Sequence, residues 1–261
     1  HGWLPGAYTR APSAFSPLLA ALMTKVALYA IDRMMFWVFG AGAENGRVHM
    51  ITFICVLCSY ASEFGALLAL TQQDVKRMFA YGGISHVGLI LIGVSQENQT
   101  GFAGGVFYMI NDAIMQAGLF FIAGAAIYLY KARFVEEWSR LRDGSRWMTG
   151  ALIILAMSMI GIPPTGGFFG KWNIILGAME AKNFLAVGAV IIATLLTMAY
   201  FQRLFVSIFR TRETEADVPR IETPAALRVS VGLTSAAIIV LGLCSDPIVS
   251  FFKDTAASVG L

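Results

Sequence analysis

Apolar runs separated by short polar turns dominate the chain. Seven of them are long enough to cross a bilayer: about 14–39, 48–70, 78–95, 103–130, 149–179, 184–209 and 226–252. The pattern predicts an all-α fold, a polytopic membrane helix bundle forming a single transmembrane domain over residues 1–261. An odd number of crossings puts the termini on opposite faces. Lys and Arg accumulate in cytoplasmic loops. Arg10, Lys76, Arg77, Lys131, Arg133, Arg140, Arg142, Arg146, Arg210, Arg212 and Arg220 share the face of the N-terminus, against chiefly Arg47, Lys182 and Lys253 opposite. Residue 1 is therefore expected on the cytoplasmic side and residue 261 outside.

One run is too long. From about Thr149 to Met179, roughly 31 residues would make a straight helix of more than about 45 Å, half again the hydrocarbon thickness. Pro163 and Pro164 lack backbone donors, and Gly161, Gly166, Gly167 and Gly170 tolerate unwound backbone. This predicts a membrane helix broken near residues 161–167, with Lys171 just past the break and facing a polar cavity. A proline kink with Lys171 snorkelling to the interface is the alternative.

Composition narrows the class. The chain is 57% hydrophobic and 13% charged, with mean hydropathy +0.68, values of a membrane protein rather than a soluble one. Cys55 and Cys58 form a lone C-x-x-C within an apolar helix and Cys244 stands apart, so neither a metal site nor a disulfide framework is expected. There is no dinucleotide loop, P-loop or haem signature, so no cofactor is expected and redox chemistry falls to partner subunits. The first residue is His1, with neither Met nor a signal peptide, which reads as a chain entered partway through a longer protein. Between the fourth and fifth runs, Lys131 to Arg146 places Phe134, Trp138 and Leu141 at helical spacing. This stretch reads either as a helix on the membrane surface or as a solvated connector.

An ionisable group inside hydrocarbon costs roughly 2.5–3.5 kcal/mol on insertion scales, so each calls for a cavity, a partner or a function. Lys25 lies about 11 residues into the first run, roughly 17 Å deep and near the midplane. His86 lies about 12 Å deep in the third run. Its side-chain type titrates nearest working pH and suits proton relay, although a histidine bonded to a neighbouring backbone is as common. The fourth run carries Asn111, Asp112 and Gln116, the last two at i, i+4 on one face. With Lys171, and with Glu63, Asn111 and Ser85 as secondary candidates, these residues suggest a horizontal row at mid-depth. In such a row, burial favours a lysine's neutral form and an approaching carboxylate its charged form, so a charge at one site alters proton affinity at the next.

Three motifs carry a resemblance. They are His1-Gly-Trp-Leu-Pro5 with Ala11-Pro12 and Ser16-x8-Lys25; Gln73-Asp-x-Lys-Arg77 running into Ala80-Tyr81 and Ser85-His86-x-Gly88; and Gly161-Ile-Pro-Pro-Thr-Gly-Gly-Phe-Phe-Gly-Lys171. In this order and spacing the chain resembles the antiporter-like membrane subunits shared by Mrp-type cation/proton antiporters, respiratory complex I and membrane-bound hydrogenases. The motifs reach to about residue 175, and only hydropathy supports the last two runs.

The resemblance implies the second half of a fourteen-helix fold built from inverted repeats, with a polar axis along the midplane. It makes Lys25 the bridging lysine, Lys171 the terminal one, and His86 a relay between Lys25 and the fourth run. Gln116 departs from the pattern, standing where a lysine is usual, and Asp112 stands where many members carry histidine. The implied function is a proton-translocating subunit of a multi-subunit complex, coupled to cation exchange or to redox chemistry in partners, with no catalytic chemistry of its own. A scaffold subunit whose proton path is interrupted at Gln116 is the alternative. The implied partners are other membrane subunits, protons, sodium as a candidate coupling ion, and the lipid bilayer, with no nucleic acid. The implied location is a bacterial or archaeal plasma membrane or an organellar inner membrane.

Overall fold

The computed structural model describes residues 2–38, 44–210 and 223–258; His1, Arg212, Arg220 and Leu261 lie outside them. The described residues form helices α1 (Leu4–Arg10), α2 (residues 16–38), α3 (Glu44–Thr71), α4 (Val75–Val94), α5 (Gln99–Tyr130) and α6 (Ser139–Gly144). These are followed by α7 (Arg146–Ile160), α8 (Gly166–Glu180), α9 (Phe184–Phe209), α10 (Ala225–Leu243) and α11 (Ser245–Ser258). Among the described residues, five stretches are long and apolar enough to cross a membrane: Phe53–Thr71, α4, α5, α9 and α10. At 32 residues, α5 is about 48 Å long, and α2, α4, α7, α8, α10 and α11 all pack around it.

Polar side chains mark the helix starts. Asp74 accepts from the Arg77 amide at 3.3 Å, Asn98 from Gly101 at 2.7 Å, and Asn183 from Ala186 at 3.2 Å, each satisfying a donor that a helix leaves unpaired. α2 is not a regular helix. Its α-helical pieces Ser16–Leu18 and Thr24–Arg33 are joined by a π-helical turn over Leu19–Met23, and a second π turn covers Met34–Val38. The wider turn changes which face the following residues present, and Lys25 is the second residue after it.

The 149–179 run is two 15-residue helices, α7 and α8. Gly161 ends α7 at φ +89°, a left-handed conformation that suits glycine, and the two prolines that follow cannot continue the ladder. The 226–252 run, expected to be continuous, is also interrupted. α10 stops at Leu243 and α11 starts at Ser245, with Asp246 and Pro247 in its first turn. The two interruptions adjoin, because Gly242 lies so close to the backbone of Pro164 to Gly166 that a Cβ would collide with it.

Residues 131–145 correct the expectation of a surface helix or solvated connector. A 3-10 turn (Val135–Glu137) and the short α6 fold back onto the bundle, and Trp138 and Leu141 are fully buried while Phe134 stays exposed. Trp138 stands edge-on to Phe79 at 6.1 Å, and Phe79 in turn meets Phe120 and Phe201. Trp138→Ala should therefore destabilise the full-length protein by about 3–5 kcal/mol. Reversible unfolding in detergent measures this, and an unchanged midpoint would show that the aromatic cluster does not anchor this segment.

Candidate functional site

At mid-length of α5, the side chains of Tyr108, Asp112 and Gln116 form one stripe at i, i+4 spacing, and all three are buried. Asp112 is the hub. Lys25 Nζ lies 2.6 Å from its Oδ2 and also donates to the Ala20 carbonyl within the π turn at 3.1 Å. From the opposite side, His86 Nδ1 on α4 lies 3.4 Å from Oδ1. A fully buried carboxylate beside a lysine ammonium is a pairing that low dielectric strengthens, and it offsets much of the cost of desolvation.

The contact chain continues past His86. The Tyr108 hydroxyl meets His86 Nδ1 at 2.7 Å, with the two rings stacked 5.5 Å apart. Lys171 Nζ lies 6.0 Å from the centre of the Tyr108 ring, within cation–π range. The order in space is thus Lys25, Asp112, His86, Tyr108, Lys171. Against the expectation from sequence, His86 is not between Lys25 and α5, because Lys25 reaches Asp112 directly.

Lys171 stands in the second turn of α8 and is buried rather than snorkelling. Its ammonium donates to the Met159 carbonyl at 2.9 Å, the Ile160 carbonyl at 3.2 Å and Thr194 Oγ1 on α9 at 3.3 Å. These two carbonyls belong to the last turn of α7, where the broken ladder leaves acceptors without helical donors and the helix dipole favours a cation. Pro163 and Pro164 therefore build the acceptor site that Lys171 fills. The break is tied to α5 by Ser158, whose hydroxyl bonds the Asn111 amide at 3.2 Å and accepts from the Gly167 amide at 3.2 Å.

Other candidates fall outside this chain of contacts. Gln116 lies one turn from Asp112, beside Gly83, and neither atom of its amide has a protein partner among the described residues. It makes none of the contacts that link Lys25 to Lys171. Ser85 pairs with Ser62 at 3.3 Å, and Glu63 is half-buried on α3 with no ion pair among the described residues. Tyr108, Thr194 and the Met159 and Ile160 carbonyls were missed. Tyr108 was open to detection as the residue one turn before Asp112 on the same face.

The chain as a whole is similar to known membrane proteins. The profile of the family described as NADH:quinone oxidoreductase/Mrp antiporter, TM, matches residues 1–197. NADH-quinone oxidoreductase subunit N of Desulforudis audaxviator is 32% identical over 96% of this chain and 52% of its own length. A subunit of the Na(+)/H(+) antiporter of Alkalihalophilus pseudofirmus is 30% identical over 98% of this chain and 51% of its own. Among solved structures, the membrane-bound sulfane sulfur reductase, an archaeal respiratory membrane complex, contains a chain that superposes with TM-score 0.88 at 26% identity. That match covers 99% of this chain and 52% of the other. The chain thus spans about half the length of the curated relatives it matches. It is an integral membrane protein with the antiporter-like helical fold, and it belongs to the NADH:quinone oxidoreductase/Mrp antiporter transmembrane family.

Proposed function

We propose that this chain is the proton-translocating half of an antiporter-like subunit, passing protons across the bundle along Lys25, Asp112, His86, Tyr108 and Lys171. In this reading it crosses the membrane seven times, with α7 and α8 forming one broken crossing and α10 and α11 another. Residue 1 is cytoplasmic and residue 261 external, in a plasma membrane or an organellar inner membrane. The partners are other membrane subunits of one complex, and transport is coupled to cation exchange or to their redox chemistry.

The observation that carries the reading is the buried Lys25–Asp112–His86–Tyr108 contact chain, with spacings of 2.6, 3.4 and 2.7 Å. A group that only held helices together would be as well served by apolar packing, without the cost of burying ions. A series of groups in ion-pair and hydrogen-bond contact, each able to take and give protons, suits transfer. Loss of the Lys25–Asp112 contact leaves Asp112 free to share a proton with His86. The proton taken up at His86 Nδ1, which Asp112 and Tyr108 both approach, passes to the Tyr108 oxygen as that hydroxyl gives its own proton to Lys171, whose flexible four-carbon stem, or a bridging water, spans the remaining gap. The unpartnered Gln116 amide and Tyr200 hydroxyl, beside Gly83 and Gly82, suit a side pool of water rather than a carrier position.

The test is proton flux by the full-length protein in its complex, in everted vesicles with a pH-sensitive dye. Tyr108→Phe, which removes one hydroxyl, is expected to lower flux about tenfold, whereas Gln116→Leu stays near wild type. Wild-type flux in Tyr108→Phe, with the complex assembled, would favour the scaffold reading.

A further inference from the structure

The Gln73-Asp-x-Lys-Arg77 motif contributes nothing to the buried row, yet it lines a cavity of about 550 Å³ at the end of the bundle. Arg10 at the end of α1, Arg77 in the first turn of α4, and Arg133 just after α5 surround it. The one carboxylate in the lining is Asp74, which is already engaged by Arg133 Nε at 2.7 Å and by the Arg77 amide. Nearby, Glu137 is taken by the backbone amides of Arg133 and Phe134. Arg10 and Arg77 are exposed and make no ion pair among the described residues, so the cavity keeps an unneutralised pair of guanidinium groups.

The cavity opens at the end of an apolar track. On α3, Leu57, Tyr60, Phe64 and Leu68 are exposed at successive spacings of three and four, forming one stripe that ends at Thr71 and Gln72 in the cavity wall. From Thr71 back to Tyr60 is about 16 Å of helix, half the hydrocarbon thickness and the depth of one leaflet. A cationic pocket at headgroup level above one leaflet's length of apolar helix has the two-part chemistry of a phospholipid.

We infer that this is a binding site for an anionic phospholipid, with the phosphate held by Arg10, Arg77 and Arg133 and an acyl chain laid along α3. It recruits lipid by charge as well as by burial, and so distinguishes anionic from zwitterionic headgroups.

The test is native mass spectrometry of the delipidated full-length protein titrated with phosphatidylglycerol, phosphatidylcholine or glycerol phosphate. Phosphatidylglycerol should bind about tenfold or more tightly than phosphatidylcholine. R10A/R77A, or the milder R10Q/R77Q should the first unfold, should abolish that preference. R146A, which removes an exposed charge outside the cavity, should leave it intact. Equal binding of the two lipids, or an equal loss in R146A, would overturn the site. Displacement of phosphatidylglycerol by equimolar glycerol phosphate would reduce it to a soluble-phosphate pocket and refute the acyl track. If R10A/R77A released a neighbouring subunit from the complex without changing bound lipid, the surface would be a protein interface and the lipid proposal would fail.

Discussion

Lys171→Met should cut proton flux by roughly 100-fold or more while leaving the complex assembled. Methionine fills the volume of the lysine stem but has no proton to give. It also strips the donor from the Met159 and Ile160 carbonyls, and a buried acceptor left unpaired costs about 1–3 kcal/mol. A drop in flux alone therefore mixes loss of a carrier with loosening of the α7–α8 break. Lys171→Arg separates the two. Arginine keeps charge and donors for the carbonyl cradle but does not release its proton at working pH. Restored stability without restored flux marks Lys171 as a carrier; flux recovered by arginine would make it a structural cap on α7.

Asp112→Asn should have the larger structural effect. It leaves the Lys25 ammonium, only 11% exposed, without its counter-charge, and breaking a buried pair by removing one partner costs about 3–5 kcal/mol. Removing both partners is different, because Lys25→Met/Asp112→Asn replaces an ion pair with an apolar chain and a neutral amide of similar size. Stability should return to within about 1 kcal/mol of wild type. The difference between the single and double variants is the coupling across the 2.6 Å contact. Thermal unfolding in detergent reads it, and a double variant as unstable as Asp112→Asn would mean that the carboxylate is held chiefly by His86.

The residues most legible in the sequence were those that hydrocarbon penalises. Lys25, His86, Asp112 and Lys171 stand out because a charge or imidazole in an apolar run demands a reason, and in the fold they are joined through a single chain of contacts. Tyr108 did not stand out, since an aromatic ring in a membrane helix reads as packing until its hydroxyl is seen to have a partner. The carbonyls around Lys171 were invisible for another reason. They are backbone groups present at every position, and only the fold reveals which ones the Pro163–Pro164 break leaves open.

Gln116 shows the limit of depth as a guide. Counting residues along α5 placed it near mid-depth but could not say which neighbour faced it, and Lys25 meets Asp112 one turn away instead. The buried Trp138 has the same origin, because helical spacing of apolar residues is identical whether the face meets lipid or protein. The interruption at Cys244 was more accessible, since Ser245-Asp246-Pro247 is a helix-start sequence inside an apolar run, although without the glycine cluster that advertised the break at Gly161.

Proton flux through the Lys25→Met/Asp112→Asn complex in everted vesicles tests the conducting row most directly, because this variant keeps the packing while removing two carriers. A row that conducts protons predicts an assembled complex of near-normal stability with flux lost by roughly 100-fold. Flux of wild-type size from that same stable complex would contradict it.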